Sequence, residues 1–214
     1  MKIFIAVCNS QDEVPSEFFW SFMATYANIP YPAVAYRARH PWDVVRNNMA
    51  IDVFLKSECD VFVKMDVDQI YPLDYFLKFL PLVEQYKVIG PVIYDRHEKN
   101  GHFPLAFNDK KVLTRDLSKE VHHGTGICAY PYTHTNNFYA REVLEMIDPP
   151  WYEAHLSADG LERANHVDYD FLDKIKAAGY KPHLYLDEVV KHITTKGVGS
   201  EHYQKWENNS SLLH

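Results

Sequence analysis

Asp60-Val61-Phe62-Val63-Lys64-Met65-Asp66-Val67-Asp68 is the stretch on which the reading of this chain turns. Val61, Phe62 and Val63 form a short apolar run of the kind buried as a sheet strand, and the run meets acid at its carboxyl end. In open α/β sheets, ligands bind just outside the carboxyl ends of strands, so Asp66 and Asp68 stand where chemistry is expected. Two carboxylates at i and i+2 repel each other unless a cation or a proton separates them. Together they can share one hard cation with a bound phosphate. The plain alternative is a polar strand end that caps the next helix, because an isolated D-x-D is short and common.

Outward from this strand, apolar runs alternate with helical periods. Lys2 to Cys8 reads as a buried first strand that feeds the polar loop Asn9 to Glu13. Phe18, Phe19, Phe22, Met23 and Tyr26 recur at helical spacing over Ser16 to Tyr26, and Pro30 and Pro32 close that segment before the run Ala33 to Tyr36. Val45, Met49 and Val53 mark a second helix running to about Lys56. A third follows Pro72, with Phe76, Leu77, Leu80 and Val83 on its apolar face, and Lys87 to Tyr94 returns as a strand. Such alternation predicts an α/β fold with a largely parallel central sheet flanked by helices.

Beyond Arg96 the pattern weakens. His97 to Glu120 is a polar stretch with little periodicity, Val121 to Tyr130 reads as strand and Tyr139 to Ile147 as helix, ended by Asp148-Pro149-Pro150. A last helix spans Asp168 to Ala178, with Gly179 at its stop, and two short strands follow at Lys181 to Leu186 and Val189 to Ile193. Glu201 to His214 is polar and carries no assignable motif. No linker is visible, so residues 1–214 are expected to form one domain.

Composition narrows the function. The 214 residues are 47% apolar and 24% charged, which excludes disorder, collagen and coiled coil. Lys and Arg number 22 against 29 Asp and Glu, a formal charge of -7, so no positive field invites a nucleic-acid backbone. A small diphosphate remains open, since a metal ion or a few local basic residues can hold one. Cys8, Cys59 and Cys128 form no C-x-x-C pair, which argues against a disulfide framework. The start MKIFIAVCNS is too short and wrongly flanked for a signal peptide, and no run approaches the roughly 18 to 20 apolar residues of a membrane helix. The expectation is a cytoplasmic protein without a transmembrane segment.

Arg46-Asn47-Asn48-Met49-Ala50 followed by the hydrophobic strand and Asp66-Val67-Asp68 resembles the GT-A-type nucleotide-sugar glycosyltransferases, in their family-2-like, D-x-D-containing form. Val88-Ile89-Gly90, Arg141-Glu142-Val143-Leu144, Asp168-Tyr169-Asp170-Phe171, Ala178-Gly179-Tyr180 and Val190-Lys191-His192 resemble later segments of the same family, in the same order. The resemblance runs from Lys2 to about His192 and implies that 1–95 is a nucleotide-sugar-binding half and 96–214 an acceptor and catalytic half of the one domain. It implies a GT-A-type Rossmann-like fold and transfer of a sugar, of the hexosyl class, from a nucleoside-diphosphate-sugar donor to a hydroxyl acceptor on a sugar, lipid or protein, with inversion.

Residue by residue, the resemblance implies that Asp68 binds a divalent cation, Mn or Mg, with Asp66 sharing the metal or contacting the donor ribose and His192 as third ligand. Arg46 can pair with the diphosphate through its planar fork and Asn47 can bond backbone or ligand; a solvated helix face is the alternative for both. Asn9 in the first loop lies beside the nucleoside. Asp168 is the implied general base, although Val167 stands where the family has glutamate; Asp170 is explained as a helix N-terminal acid. Gly124-Thr125-Gly126 resembles a turn near the acceptor, and the stretch Tyr130 to Asn137 departs from the pattern and is read as surface. Trp151 and Tyr152 could stack on a sugar, but an aromatic pair is more often core.

Two other classes remain open. The strand and acid pair also fit a haloacid-dehalogenase-like phosphatase, and the fold could serve as a non-catalytic sugar-binding module. The compact size implies that acceptor recognition is local or supplied by a partner or oligomer. The sequence names neither the sugar, the base, the acceptor nor the oligomeric state.

Overall fold

A computed structural model describes residues 1–10, 13–95, 103–112, 114–133, 137–155 and 166–193. Its centre is strand β1 (Ile3–Asn9), all seven residues of which are buried. Alternate residues of β1 serve opposite faces, as the period of a strand requires. Phe4, Ala6 and Cys8 enter one apolar cluster, and Ile3, Ile5 and Val7 the other. Both faces are therefore covered, which is why the strand reads as an unbroken apolar run rather than an alternating one.

On the first face lie helices α2 (Asp43–Leu55), α5 (Arg141–Glu145) and α6 (Val167–Ala177), through Ala50, Ile51 and Phe54, Val143 and Leu144, and Phe171, Leu172 and Ile175. On the other lie α1 (Ser16–Tyr26) and α3 (Tyr75–Tyr86), through Phe18, Phe76, Phe79, Leu80 and Val83. Each such side chain removed from water contributes about 1.5–3 kcal/mol.

Strands β2 (Ala33–Arg39) and β3 (Val61–Asp66) flank β1 in parallel, with Ile5 opposite Ala35 and Val63. Next comes β9 (Phe138–Ala140), antiparallel to both β3 and β5 (Val88–Ile93), with Phe138 opposite Val63 and Ile89. Beyond β5 the sheet continues with β10 (His183–His192), and β4 (Gln69–Ile70) and β7 (Ile127–Ala129) pair antiparallel to β10. Among the described residues the sheet has eight strands, drawn from both expected halves of the chain. A separate ribbon joins β6 (Ala106–Phe107) to β8 (Tyr132–Thr133).

The expected fold class is the observed one, and the first 95 residues follow the expected order of elements apart from β4, a two-residue strand after the acid pair that was not expected. Four local readings are corrected. The polar stretch before residue 120 contains helix α4 (Arg115–His123), capped by Thr114 Oγ1 accepting from the Leu117 N–H at 3.1 Å; residues 97–102 lie outside the described residues. The expected strand from Val121 shrinks to β7, because Val121 to His123 close α4. The expected helix from Tyr139 begins only at Arg141, since Tyr139 is in β9. The two final strands are one strand, β10, with a register shift between Tyr185 and Val189.

Tyr130, Tyr132, Thr133 and Asn137 are buried rather than on the surface; residues 134–136 lie outside the described residues. The Tyr132 hydroxyl donates to Asp173, which also takes Lys111 at 2.8 Å, so the β6–β8 ribbon is tied to α6. Arg141 braces the opposite side. Its guanidinium donates to the carbonyls of Leu55 at 2.6 Å and Cys59 at 2.8 Å, satisfying the end of α2 and the turn into β3.

His183 opens β10 with its ring 4.8 Å from that of Tyr86. Burial lowers its pKa below the ordinary 6.5. The unfolded chain therefore takes up this proton first as pH falls through that value, and folding loses stability from there down toward the folded-state pKa. Thermal melts at about pH 7.5 and about pH 5.5 are expected to show a loss in the wild type that His183→Phe reduces. An equal loss in both proteins would remove His183 as a cause.

Candidate functional site

β1 and β3 run parallel and end side by side, with Cys8 opposite Asp66. Beyond their carboxyl ends the chain opens a cleft of about 450 Å³. Its lining includes Asn9 at the end of β1 and Ser10 after it, Asp43, Arg46 and Asn47 on α2, Lys64 and Asp66 on β3 and Asp68 just beyond it, Asp168 on α6, and Ile193 after β10. Six of the seven residues expected from the sequence thus share one cleft: Asn9, Arg46, Asn47, Asp66, Asp68 and Asp168.

The acid turn is locked from three sides. The Tyr71 hydroxyl accepts from the Asp66 N–H at 2.9 Å and sits 3.1 Å from Gln69 Oε1. Burial holds the Tyr71 phenol well above its usual pKa, so it stays a neutral donor. The Ile193 N–H donates to the Asp68 carbonyl at 2.7 Å, which seats the end of β10 against the turn. Lys64 places its ammonium 2.9 Å from each oxygen of Asp66.

His192 is the expected residue that does not line the cleft. It is buried beneath the turn, opposite Gln69 in the β4–β10 pairing. Its Nδ1 meets the Tyr94 carbonyl, which can only accept, so Nδ1 carries a proton and the ring orientation is fixed by that bond. Among the described residues, the group that brings three ligand atoms within 4.8 Å of one another is Glu153, His155 and Asp170, not Asp66, Asp68 and His192.

Two polar atoms in the cleft have no hydrogen-bond partner although both are buried: Nε of Arg46 and Oδ1 of Asn47. Asn47 is only 4% exposed, so the alternative of a solvated helix face does not hold for it. Buried polar groups are normally satisfied, and a donor and an acceptor left open in one cleft are what a polar ligand would complete. The Arg46 Nε donor and the hard oxygens of the acid turn suit a cation bridged to a phosphate-bearing ligand, whereas the Asn47 Oδ1 acceptor suits a ligand hydroxyl or N–H.

Asp168 occupies the first turn of α6, 8% exposed, where its own N–H donates to Nδ1 of the preceding cap His166 at 3.3 Å. Trp151 and Tyr152 present no sugar-stacking face: both are buried, with Tyr152 stacked 4.3 Å from Phe171. Asn48 bonds the Tyr152 backbone in both directions, at 2.8 and 2.9 Å. Lys64 was in the quoted strand, yet no role was read for it. The available signal was a lone cation in a buried run, two residues before an acid and hence on the same face.

No protein-family model matches the chain, and no curated protein matches it in sequence. Solved structures do match in shape. A197 from STIV superposes with a TM-score of 0.61 at 15% identity, over 94% of this chain and 92% of that one. GalNAc-T7, solved with UDP, GalNAc and Mn2+, gives 0.53 at 11% identity over 90% of this chain. S. aureus TarS 1–349 in complex with UDP gives 0.52 at 11% identity over 96%. The fold is GT-A-type. At these identities the likeness is one of fold alone, and this chain spans 44% of the GalNAc-T7 chain and 63% of the TarS chain. No helix among the described residues is long and apolar enough to cross a membrane.

The unpartnered Oδ1 makes Asn47 a liability to the ligand-free protein. Asn47→Leu is expected to leave the ligand-free melting temperature unchanged or raise it, since removing an unsatisfied buried acceptor recovers about 1–3 kcal/mol of desolvation. A clear drop would show that the Asn47 side chain is already satisfied.

Proposed function

We propose that this chain is a metal-dependent glycosyltransferase that moves a sugar from a nucleoside-diphosphate donor to a hydroxyl acceptor, with inversion. The observation that carries the reading is the cleft itself. It sets the Asp66–Asp68 turn and Asp168 around one space with the open Arg46 Nε and Asn47 Oδ1. The UDP and Mn2+ named for GalNAc-T7, and the UDP named for TarS, add support at the level of fold.

In this reading Arg46 and Asn47 hold the donor's diphosphate and neighbouring polar groups, and Asn9 borders the nucleoside. Asp68 would hold the cation with Asp66 beside it; His192, beneath the turn and outside the cleft lining, would serve as third ligand only after its side chain moved toward the acids. The cation, when bound, supplies Lewis-acid stabilisation of the charge that grows on the leaving phosphate. Asp168 takes the proton from the acceptor hydroxyl as its oxygen bonds to the anomeric carbon; the bond from that carbon to the phosphate oxygen breaks, and the nucleoside diphosphate departs.

Titration with UDP and GDP, each with Mn and with EDTA, tests the donor half. One nucleotide is expected to bind with Mn and to lose that binding with EDTA or in Asp68→Ala. Asp168→Asn is expected to keep nucleotide binding and lose about 10²–10⁴-fold in transfer. Equal loss of binding in both variants would remove Asp168 as the base. Binding of neither nucleotide, with or without Mn, together with turnover of p-nitrophenyl phosphate, would replace the transferase by a phosphatase.

A further inference from the structure

Lys64 stands in the middle of the sheet, on the strand that carries the acid turn, and is 4% exposed. An ammonium is taken out of water at a cost of several kcal/mol unless its surroundings repay it. Here the repayment is local: Asp66, on the same face two residues on, meets it with both oxygens at 2.9 Å. Lys64 thus brings an ammonium, bonded to both oxygens of Asp66, to the wall of the cleft.

A carboxylate offers about four lone-pair sites, and the bidentate contact with Lys64 engages both oxygens of Asp66. A divalent ion arriving at the turn meets a carboxylate already neutralised and a like charge fixed beside it. A nucleoside diphosphate changes that balance, because it brings its own negative oxygens into the cleft. We propose that Lys64 is a positioning residue that weakens the acid turn's hold on a bare divalent cation, so that metal and nucleotide bind as a pair rather than metal first. This rests on the transferase reading above and assigns the side chain that makes metal binding conditional on the donor. A lysine that only braced β3 would have no such effect on the sign of metal affinity.

The test is Mn2+ binding without nucleotide, followed by the electron paramagnetic resonance signal of free Mn2+, and nucleotide binding at saturating Mn2+. Lys64→Met is expected to tighten binding of Mn2+ alone by about tenfold, because a fixed like charge has gone. The same variant is expected to weaken nucleotide binding at saturating Mn2+, because the cleft has lost a positive charge. Lys64→Gln, which keeps a hydrogen-bond donor for Asp66, is expected to show both changes if Lys64→Met does not fold. Lys64→Arg is expected to keep the weak binding of bare Mn2+. In folded variants, unchanged or weaker binding of Mn2+ alone overturns the proposal. A wild type that binds neither Mn2+ nor nucleotide overturns the transferase reading instead, so the two failures are distinct.

Discussion

β3 must stay dry on both faces and yet end in charge, and the Lys64–Asp66 ion pair is what reconciles the two. Val61, Phe62, Val63 and Met65 are buried in the two apolar layers, and Lys64 is buried among them in sequence. Without a partner its ammonium would destabilise the centre of the sheet. The partner is the first acid of the turn, so the residue that solves the strand's packing problem is also the residue that opens the cleft. A change to either member therefore acts on stability and on the site together, and only a variant that separates charge from hydrogen bonding can divide the two effects.

The rest of the cleft is assembled by elements that arrive from both ends of the chain. β1 and α2 come early and supply Asn9, Arg46 and Asn47. β10 comes late, yet its end is fastened to the Asp68 carbonyl and its His192 is aimed by the Tyr94 carbonyl at the end of β5. The antiparallel β9 makes this possible. By lying between β3 and β5 it leads the chain to Arg141, which clamps the end of α2 beside the start of β3.

How much of this the sequence disclosed follows from where the periodicity is strong. Through residue 95 β1 and β5 are continuous apolar runs, β2 and β3 begin as such runs, and the helices show apolar faces, so order and type were legible except for the two-residue β4. β9 was not, because its three residues are followed at once by a helix and inherit its pattern. Helix α4 was hidden by polarity: it buries only Ser118 and Val121 of its nine residues, too few to form a stripe. The acids and amides of the cleft were legible by position at strand ends. The burial of Tyr130 to Thr133 was not, because what draws Tyr132 inward is an ionic cluster on α6 distant in sequence.

Asp170 shows why spacing alone does not make a metal site. It lies with Glu153 and His155 in a group whose ligand atoms are within 4.8 Å, but a lysine already occupies the place. Lys174 Nζ is 2.6 Å from Glu153 Oε1, 2.6 Å from the Pro150 carbonyl and 3.4 Å from Asp170 Oδ2. Its hydrogen bond holds the Glu153 carboxyl below the usual range. His155 sits between the two remaining oxygens, 3.2 Å from Asp170 and 3.6 Å from Glu153. The cluster holds its own cation in Lys174 and ties the 150–155 segment to the first turn of α6. That turn also carries Asp168, so an ionic clamp on its outer side and the Lys64 charge on its inner side act on the helix that presents the proposed base.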